Sequence, residues 1–202
     1  MSGAVTGATQ QPGSSGAADA LRDEPFHPEV ISETLAYRGR VWDVANETFA
    51  FGDGTITRQV IRHPGAVAVL AVDDEGRVLL IRQYRHPVRS REWEIPAGLL
   101  DVAGEDPLRA AQRELAEEVD LDARHWQVLA DYRTSPGGST EELRIYRASG
   151  VSVRAEAFAR TEEEAEIVVR RVPLAEVVEA ALAGRLGNSI LLVAALAAHA
   201  RG

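Results

Sequence analysis

Alternating apolar and polar residues predict β-strands over the part of the chain that begins near His27. The alternation runs through ISETLAYRGRVWDVANETFAFGDGTITRQVIRH and is interrupted by the glycine-rich turn Gly52-Asp53-Gly54, which is typical of a hairpin or meander. Two β-branched apolar runs then flank the turn DDEG in AVAVLAVDDEGRVLLIRQYRH and predict a second hairpin. A shorter strand, EWEIPAG, is predicted to end at Pro96.

The pattern becomes helical in the stretch PLRAAQRELAEEVDL. Apolar residues recur there at three- and four-residue spacing, which predicts a helix with one buried face, formed by Leu108, Ala111, Leu115 and Val119. Asp106 followed by Pro107 is a favourable helix start, because aspartate caps the first N–H groups and proline suits the first helical position.

The remainder of the chain reads as three strands followed by two helices. The strands are WQVLADYRTS, ELRIYRASG and EAEIVVRRVPL, with the loop PGGSTE between the first two. The helices are LAEVVEAALAGRLG, closed by Gly184 or Gly187, and NSILLVAALAAHA. Strands before and after a central helix, with helices at the end of the chain, predict a mixed α/β sandwich.

Composition divides the chain into three segments. Residues 1–26 are rich in Gly, Ser, Ala and Gln and predict a disordered leader, without the basic and apolar regions of a signal peptide. Residues 27–64 form the N-terminal β region, and residues 65–202 form the remaining domain. A stretch of about 18 apolar residues is absent, so no membrane span is expected.

Charge and cysteine content exclude several classes of function. With 22 Lys and Arg against 31 Asp and Glu, the net charge is −9, which argues against a protein that grips nucleic acid through its phosphates. The absence of cysteine excludes disulfides, thiolate zinc sites and cysteine nucleophiles. It is also compatible with the cytoplasm, the location that we predict.

Three carboxylates, Glu114, Glu117 and Glu118, share one face of the predicted central helix. Like charges one turn apart repel, so two interpretations arise. The helix can present a solvated acidic face with an Arg113–Glu117 ion pair. Alternatively, the cluster can bind hard cations such as Mg²⁺ or Mn²⁺ through its oxygens.

The wider pattern favours the metal interpretation. The stretch GLLDVAGEDPLRAAQRELAEEVDL closely resembles the Nudix box, with a glycine, a glutamate, an Arg-Glu pair and a Glu-Glu pair, here Gly98, Glu105, Arg113-Glu114 and Glu117-Glu118. It departs from the box in two places: six residues instead of five separate Gly98 from Glu105, and Asp120 replaces the later glycine. We expect the extra residue to bulge outward and Asp120 to adopt a left-handed conformation, leaving the metal face intact.

This resemblance implies the Nudix fold, which is an α+β fold: an α/β/α sandwich with a mixed central sheet and, here, an N-terminal antiparallel β subdomain. It also implies a metal-dependent hydrolase of nucleoside diphosphates linked to another group. It implies that two or three Mg²⁺ or Mn²⁺ ions are bound by Glu114, Glu117, Glu118 and the carbonyl of Ala97. Arg113 would orient a metal-binding glutamate. Water would attack one phosphorus of the diphosphate.

The flanks of the box resemble the ADP-ribose pyrophosphatase subfamily. Pro136 lies fifteen residues after Leu121 and precedes a Gly-Gly turn and an acid, and RQYRHPVRSREWEIPAGLLD is also similar. The alternative interpretation of Pro-Gly-Gly is an ordinary hairpin turn. The subfamily resemblance implies cleavage of ADP-ribose to AMP and ribose 5-phosphate, and a homodimer formed through residues 27–64.

The same resemblance implies a set of substrate-binding residues. Arg85 would contact phosphates, Arg58 and Gln59 would help to form the adenosine pocket, and Trp42 is a candidate stacking group or, alternatively, a core residue. The complete set is Trp42, Arg58, Gln59, His63, Arg85, Leu99 and Ser135.

The general base remains open among three glutamates outside the box. Glu141, in GGSTE, matches the family position best, whereas Glu163 and Glu164 lie where related enzymes carry a mobile acidic loop. The run EEEAE is also typical of a solvated charged segment.

Two rival functions remain. One is a Nudix hydrolase of another compound, such as a GDP-sugar, a dinucleotide or capped RNA. The other is a non-catalytic module that senses ADP-ribose, which the retained glutamates Glu114, Glu117 and Glu118 disfavour.

Overall fold

The computed structural model describes residues 21–155, 158 and 167–202, which form two β-sheets and three helices. The small sheet has the order β1-β2-β3 and consists of β1 (Val30–Tyr37), β2 (Asp43–Phe51) and β3 (Gly54–Arg62). The main sheet consists of β4 (Ala66–Val72), β5 (Arg77–Arg85), β6 (Ser90–Glu94), β7 (Ala97–Leu99), β8 (Leu121–Arg133), β9 (Glu142–Val153) and β10 (Val168–Pro173). The helices are α1 (Pro107–Val119), α2 (Leu174–Leu182) and α3 (Ser189–Arg201).

Strand β4 lies at the centre of the main sheet and is buried on both faces along its whole length. It pairs in parallel with β9, whereas β7 and β5 pair with it in an antiparallel direction, so the sheet is mixed. Successive side chains of a strand point to opposite faces. Ala68 and Leu70 therefore pack in one core with α2 and α3, while Val67 and Val69 pack in a second core with α1. The predicted α/β/α sandwich is confirmed.

Helix α1 begins and ends as the sequence predicts. The side chain of Asp106 accepts a hydrogen bond from the Leu108 N–H at 2.9 Å, and Pro107 occupies the first turn. Asp120 ends the helix in the left-handed region, with φ of 55°, and its N–H bonds to the carbonyl of Ala116 at 3.0 Å. The loop that carries the extra residue is exposed at residues 101–104.

Two local predictions differ from the structure, and one open alternative is resolved by it. β4 and β5 pair only at Val72 and Val78, because β5 then turns to β10 and β6 while β4 pairs with β9 and β7, so the predicted hairpin is limited to its turn. The strand predicted to end at Pro96 is two strands, β6 and β7, separated at Ile95-Pro96, since proline has no N–H to donate to a ladder. After α2, Gly184 and not Gly187 adopts the positive φ that ends the helix.

The small sheet is antiparallel, and its β2–β3 hairpin turns at Gly52, which has a φ of 59°. Every residue of β1 is exposed. The sheet is tied to the main domain where β3 ends. The Ile61 N–H donates to the carbonyl of Gly138 at 2.8 Å, and the Thr140 N–H donates to the carbonyl of Ile61 at 2.9 Å.

The predicted leader falls mostly outside the described residues, as only residues 21–26 of it are included. Among the helices that the structure describes, none combines the length and apolar character needed to cross a membrane.

Candidate active site

Arg113 lies at the centre of a cluster of glutamates on α1 and the loop before it. Its Nε and Nη2 donate to the two carboxylate oxygens of Glu105 at 3.2 and 3.0 Å. Its Nη1 donates to Glu114 at 2.6 Å and to Glu117 at 3.2 Å, so the predicted Arg113–Glu117 pair is part of a larger network. One guanidinium thus offsets the mutual repulsion of three carboxylates.

The same contacts shift the protonation equilibria of the pair. The hydrogen bonds from Arg113 hold the pKa of Glu105 below its usual value, despite partial desolvation. The hydrogen bond to Glu105 and the negative charge of Glu114 raise the pKa of Arg113. Both groups are therefore charged at neutral pH, and the network persists as an ion cluster.

Glu118 is buried, with 6% of its surface exposed, and it links α1 to β7. One of its carboxylate oxygens accepts a hydrogen bond from the Ala97 N–H at 3.1 Å. A buried carboxylate needs hydrogen bonds or positive charge to offset the loss of water. The Ala97 amide supplies one such bond and fixes the carboxylate beside the backbone of β7.

Gly98 allows Glu114 to approach the next residue of β7. A Cβ atom at this position would lie 2.0 Å from both Cδ and Oε1 of Glu114, which no structure tolerates. The side chain of Glu114 therefore lies against the Cα of Gly98, just as Glu118 lies against Ala97. Two glutamates that are one turn apart on α1 thus contact consecutive residues of β7.

The predicted metal-binding residues carry the kind of oxygen atoms that a divalent cation requires. Carboxylate and carbonyl oxygens are the ligands that Mg²⁺ and Mn²⁺ prefer. Within residues 21–155, 158 and 167–202, however, no three carboxylates or imidazoles are already arranged to hold one ion. The Nη1 atom of Arg113 instead bridges Glu114 and Glu117.

Arg85, at the end of β5, is held in place by a buried acid. Its Nε and Nη2 donate to both carboxylate oxygens of Glu94 at 2.8 and 2.7 Å, and Glu94 is only 3% exposed. Gln83 adds a hydrogen bond to the same carboxylate at 3.2 Å. A bidentate pair fixes the plane of the guanidinium, and the Arg85 side chain is still 43% exposed.

Sequence reasoning does not predict the roles of Glu94 and Gln83. The signal available in the sequence is an ionisable residue between two apolar ones, Trp93 and Ile95, in a stretch predicted as strand. A buried acid of this kind requires a cationic partner. The partner lies on the neighbouring strand, which only the pairing of β5 with β6 reveals.

Trp42, His63 and Glu141 lie together where the small sheet meets the loop of residues 134–141, which we call the β8–β9 loop. The rings of Trp42 and His63 stack with centroids 5.9 Å apart. The Nε2 atom of His63 lies 3.8 Å from Glu141 Oε1, and the Thr134 hydroxyl donates to Glu141 Oε2. The structure thus brings together three residues predicted from distant parts of the sequence.

The remaining predicted residues occupy separate positions. Arg58 and Gln59 are exposed on β3, where they bond to the carbonyl of Thr57 and to the side chain of Asn46, both at 2.9 Å. Leu99 ends β7 and is half-buried, whereas Ser135 is exposed at the start of the β8–β9 loop. Glu163 and Glu164 lie outside the described residues.

A cleft of about 680 Å³ adjoins Leu99 and Ser135. Their immediate neighbours Leu100 and Pro136 line it, together with Tyr132 and Arg144. This volume is in the range of small-molecule sites, roughly 300–1,000 Å³. Arg144 is oriented in the cleft by a bidentate pair with Asp131, at 2.7 and 3.0 Å.

Comparisons with known proteins identify the family of this chain. Residues 62–192 match the NUDIX domain family. An ADP-ribose pyrophosphatase of Mycobacterium tuberculosis is 43% identical over 173 residues, which cover 85% of this chain and 83% of the relative. An ADP-ribose pyrophosphatase of Bacillus subtilis is 36% identical over 137 residues, which cover 67% and 74% of the two chains.

A solved structure shares the fold. The crystal structure of an ADP compounds hydrolase superposes with a TM-score of 0.73 at 22% identity, and the match covers 89% of this chain and 96% of the other. At this identity the similarity supports the fold alone.

The contact of Gly98 with Glu114 generates a first prediction. Gly98→Ala will displace the Glu114 carboxylate, because the new methyl group would occupy its position. Disturbing the support of a metal ligand typically weakens metal binding by about 10–100-fold. We expect a loss in this range in Mn²⁺ affinity, measured by isothermal titration calorimetry.

Gly54→Ala is the matched control, because no atom lies within 4 Å of the position that its Cβ would take. An unchanged Mn²⁺ affinity in Gly98→Ala, with native circular dichroism, would show that Glu114 does not depend on Gly98 or does not bind the ion.

Proposed function

The chain belongs to the NUDIX domain family, and from this premise we propose that it hydrolyses ADP-ribose to AMP and ribose 5-phosphate with the aid of divalent metal ions. The observation that carries the proposal is the position of Glu114 and Glu118 against two successive residues of β7. Beside them, Arg113 donates hydrogen bonds to Glu105. The substrate is favoured by the relatives that share most of the chain and are named as ADP-ribose pyrophosphatases.

NUDIX hydrolases in general need divalent metal ions, and we propose two or three Mg²⁺ or Mn²⁺ ions for this chain. Glu114, Glu117, Glu118 and the carbonyl of Ala97 would hold them. When bound, such ions neutralise the charge of a diphosphate and activate water for attack on phosphorus. Arg113 is a positioning residue, because its contacts with Glu105 fix the guanidinium that touches Glu114 and Glu117.

The reaction adds one water across the diphosphate. The water oxygen forms a bond to one phosphorus, and the bridging oxygen leaves with the other phosphate, giving two monophosphates. In this proposal Arg85 contacts the diphosphate, because the fixed plane of its guanidinium suits two oxygens of a phosphate. Because Glu94 holds the Arg85 side chain in one orientation, that side chain loses little conformational freedom when substrate binds.

The attacking water must lose a proton, and we propose that a glutamate outside α1 accepts it. The candidates are Glu141, Glu163 and Glu164. Glu141 is held by Thr134 and faces His63, so its carboxylate has a defined position. The acidic run that contains Glu163 and Glu164 is the alternative source.

For the nucleoside, we propose contacts from the small sheet and from the edge of the cleft. Trp42 is 46% exposed and offers a flat surface to a planar base. Arg58, Gln59 and His63 belong to the same sheet or its end, and Leu99 and Ser135 lie next to the cleft of about 680 Å³.

We further propose that the small sheet pairs with the same sheet of a second copy. A three-stranded sheet needs a covered apolar face to be stable, and this one leaves large apolar side chains in water. Apart from the proposed base-stacking group, those that are 42–64% exposed are Val30, Ile31, Leu35, Tyr37, Val41 and Phe51. A homodimer would bury this surface and place the two small sheets at the centre of the assembly.

The proposed activity gives a second prediction. Glu118→Gln preserves size and can still accept from the Ala97 N–H, but it loses the negative charge that holds a cation. Charge stabilisation by a bound metal is worth several kcal/mol, so kcat/KM for ADP-ribose should fall on the order of 10³-fold. The measurement is AMP release with Mg²⁺ or Mn²⁺, beside ADP-glucose, GDP-mannose and NADH.

Glu179→Gln is the control, because Glu179 lies on α2 and is 72% exposed. Faster turnover of GDP-mannose or NADH than of ADP-ribose would retain the hydrolase and reject the substrate. Binding of ADP-ribose without turnover would identify a sensing module instead.

The base is tested by three glutamine variants, Glu141→Gln, Glu163→Gln and Glu164→Gln. Loss of a general base typically lowers kcat by about 10²–10⁴-fold, while binding of substrate is little affected. We expect one variant to show this loss, with KM close to that of the wild type. Glu162→Gln, in the same acidic run, is the control, and three active variants would place the base elsewhere.

The proposed dimer is tested by Leu35→Glu, which places a charge on the exposed face of β1. Burying an unpaired charge is costly, so the variant should sediment as a monomer at concentrations where the wild type is a dimer. Analytical ultracentrifugation measures both. Val153→Glu, on β9 at 75% exposure, is the control, and a wild type of 21.8 kDa in solution would reject the dimer.

A further inference from the structure

His63 lies beneath Trp42 and is far more buried than Trp42 is. The two rings are inclined by 28° with centroids 5.9 Å apart, within the range of favourable aromatic contacts. The His63 side chain is 8% exposed, whereas Trp42 is 46% exposed. The imidazole thus supports the indole ring on one side and leaves much of it open to solvent.

The two ring nitrogens of His63 have distinct roles. Nδ1 accepts a hydrogen bond from the Gly65 N–H at 3.1 Å, so the ring proton must reside on Nε2. Nε2 faces Glu141 Oε1 at 3.8 Å. This distance exceeds that of a direct hydrogen bond, and the interaction is an electrostatic attraction between the N–H dipole and the carboxylate.

The backbone of His63 is also fixed by the β8–β9 loop. Its N–H donates to the Thr140 hydroxyl at 3.0 Å. One residue before Glu141, Thr140 bonds through its own N–H to the carbonyl of Ile61. His63 therefore occupies the point where the small sheet, Trp42 and the β8–β9 loop meet.

We propose that His63 is a positioning residue for the hydrolytic reaction, acting on Trp42 through its ring face and on Glu141 through its Nε2–H. The ring face holds the indole at the angle at which it receives the planar base of a nucleotide. The Nε2–H holds the Glu141 carboxylate and, with it, the end of the β8–β9 loop. The inference rests on the proposed function, because it concerns how substrate is bound and turned over.

Two substitutions separate these effects. His63→Phe retains an aromatic ring beneath Trp42 but has no donor for Glu141, whereas His63→Gln retains a side-chain N–H near the position of Nε2 but has no ring. If the ring supports base stacking, His63→Gln should raise KM for ADP-ribose by about three- to tenfold, and His63→Phe should leave it nearly unchanged. If the Nε2–H positions Glu141, kcat should fall in His63→Phe and be largely retained in His63→Gln.

A double substitution tests the route through Trp42. In a Trp42→Ala background, His63→Gln should raise KM no further, because the side chain through which it acts is absent. His199→Gln, on the exposed surface of α3, is the control for loss of a histidine. Circular dichroism at the assay temperature verifies that each variant is folded.

The outcomes are distinct from those of the proposed function. A wild type that does not hydrolyse ADP-ribose rejects the proposed function, and the inference with it. An active wild type with KM and kcat unchanged in both His63 variants rejects only the inference. Equal changes of KM and kcat in both variants, persisting without Trp42, would mean that His63 merely packs the interior and would also overturn it.

Discussion

The contact between α1 and the three-residue strand β7 fixes the positions of two glutamates, Glu114 and Glu118. Glu118 bonds to the amide of Ala97, and Glu114 lies on the bare Cα of Gly98. Because the two glutamates are four residues apart, they present one face of the helix to one short segment of backbone. The sandwich fold holds the two elements together, because β7 pairs with β4 and α1 packs on the same strand.

Two arginines of this protein are each fixed by a bidentate pair with a carboxylate. Arg113 is oriented by Glu105, and Arg85 is oriented by the buried Glu94. In both pairs a carboxylate accepts two parallel N–H bonds, the geometry that most restricts a guanidinium. A fixed guanidinium needs little reorganisation when an anionic ligand arrives, which is how enzymes obtain electrostatic stabilisation at low cost.

The sequence predicts those parts of the site that depend on local spacing. Helix α1, its cap at Asp106 and its left-handed end at Asp120 are specified by one continuous stretch of the sequence, and the structure agrees. Contacts between distant segments are not predictable in this way. The separation of β4 from β5, the pairing of Arg85 with Glu94 and the position of His63 beneath Trp42 all depend on which strands and loops become neighbours. Residue types identify the candidates, and only tertiary pairing assigns their partners.

The Arg113 network also bears on whether the protein can fold before it binds metal ions. Its guanidinium already offers an internal counter-charge to three carboxylates, and the Ala97 N–H donates a hydrogen bond to a fourth. The acidic helix can consequently dock onto the sheet in a newly made chain before any ion is available. Folding and metal loading are then separate events, unlike those of small zinc domains that collapse only around their ion. If metal ions bind as proposed, a shortage of them would then lower the rate of catalysis without lowering the amount of folded protein.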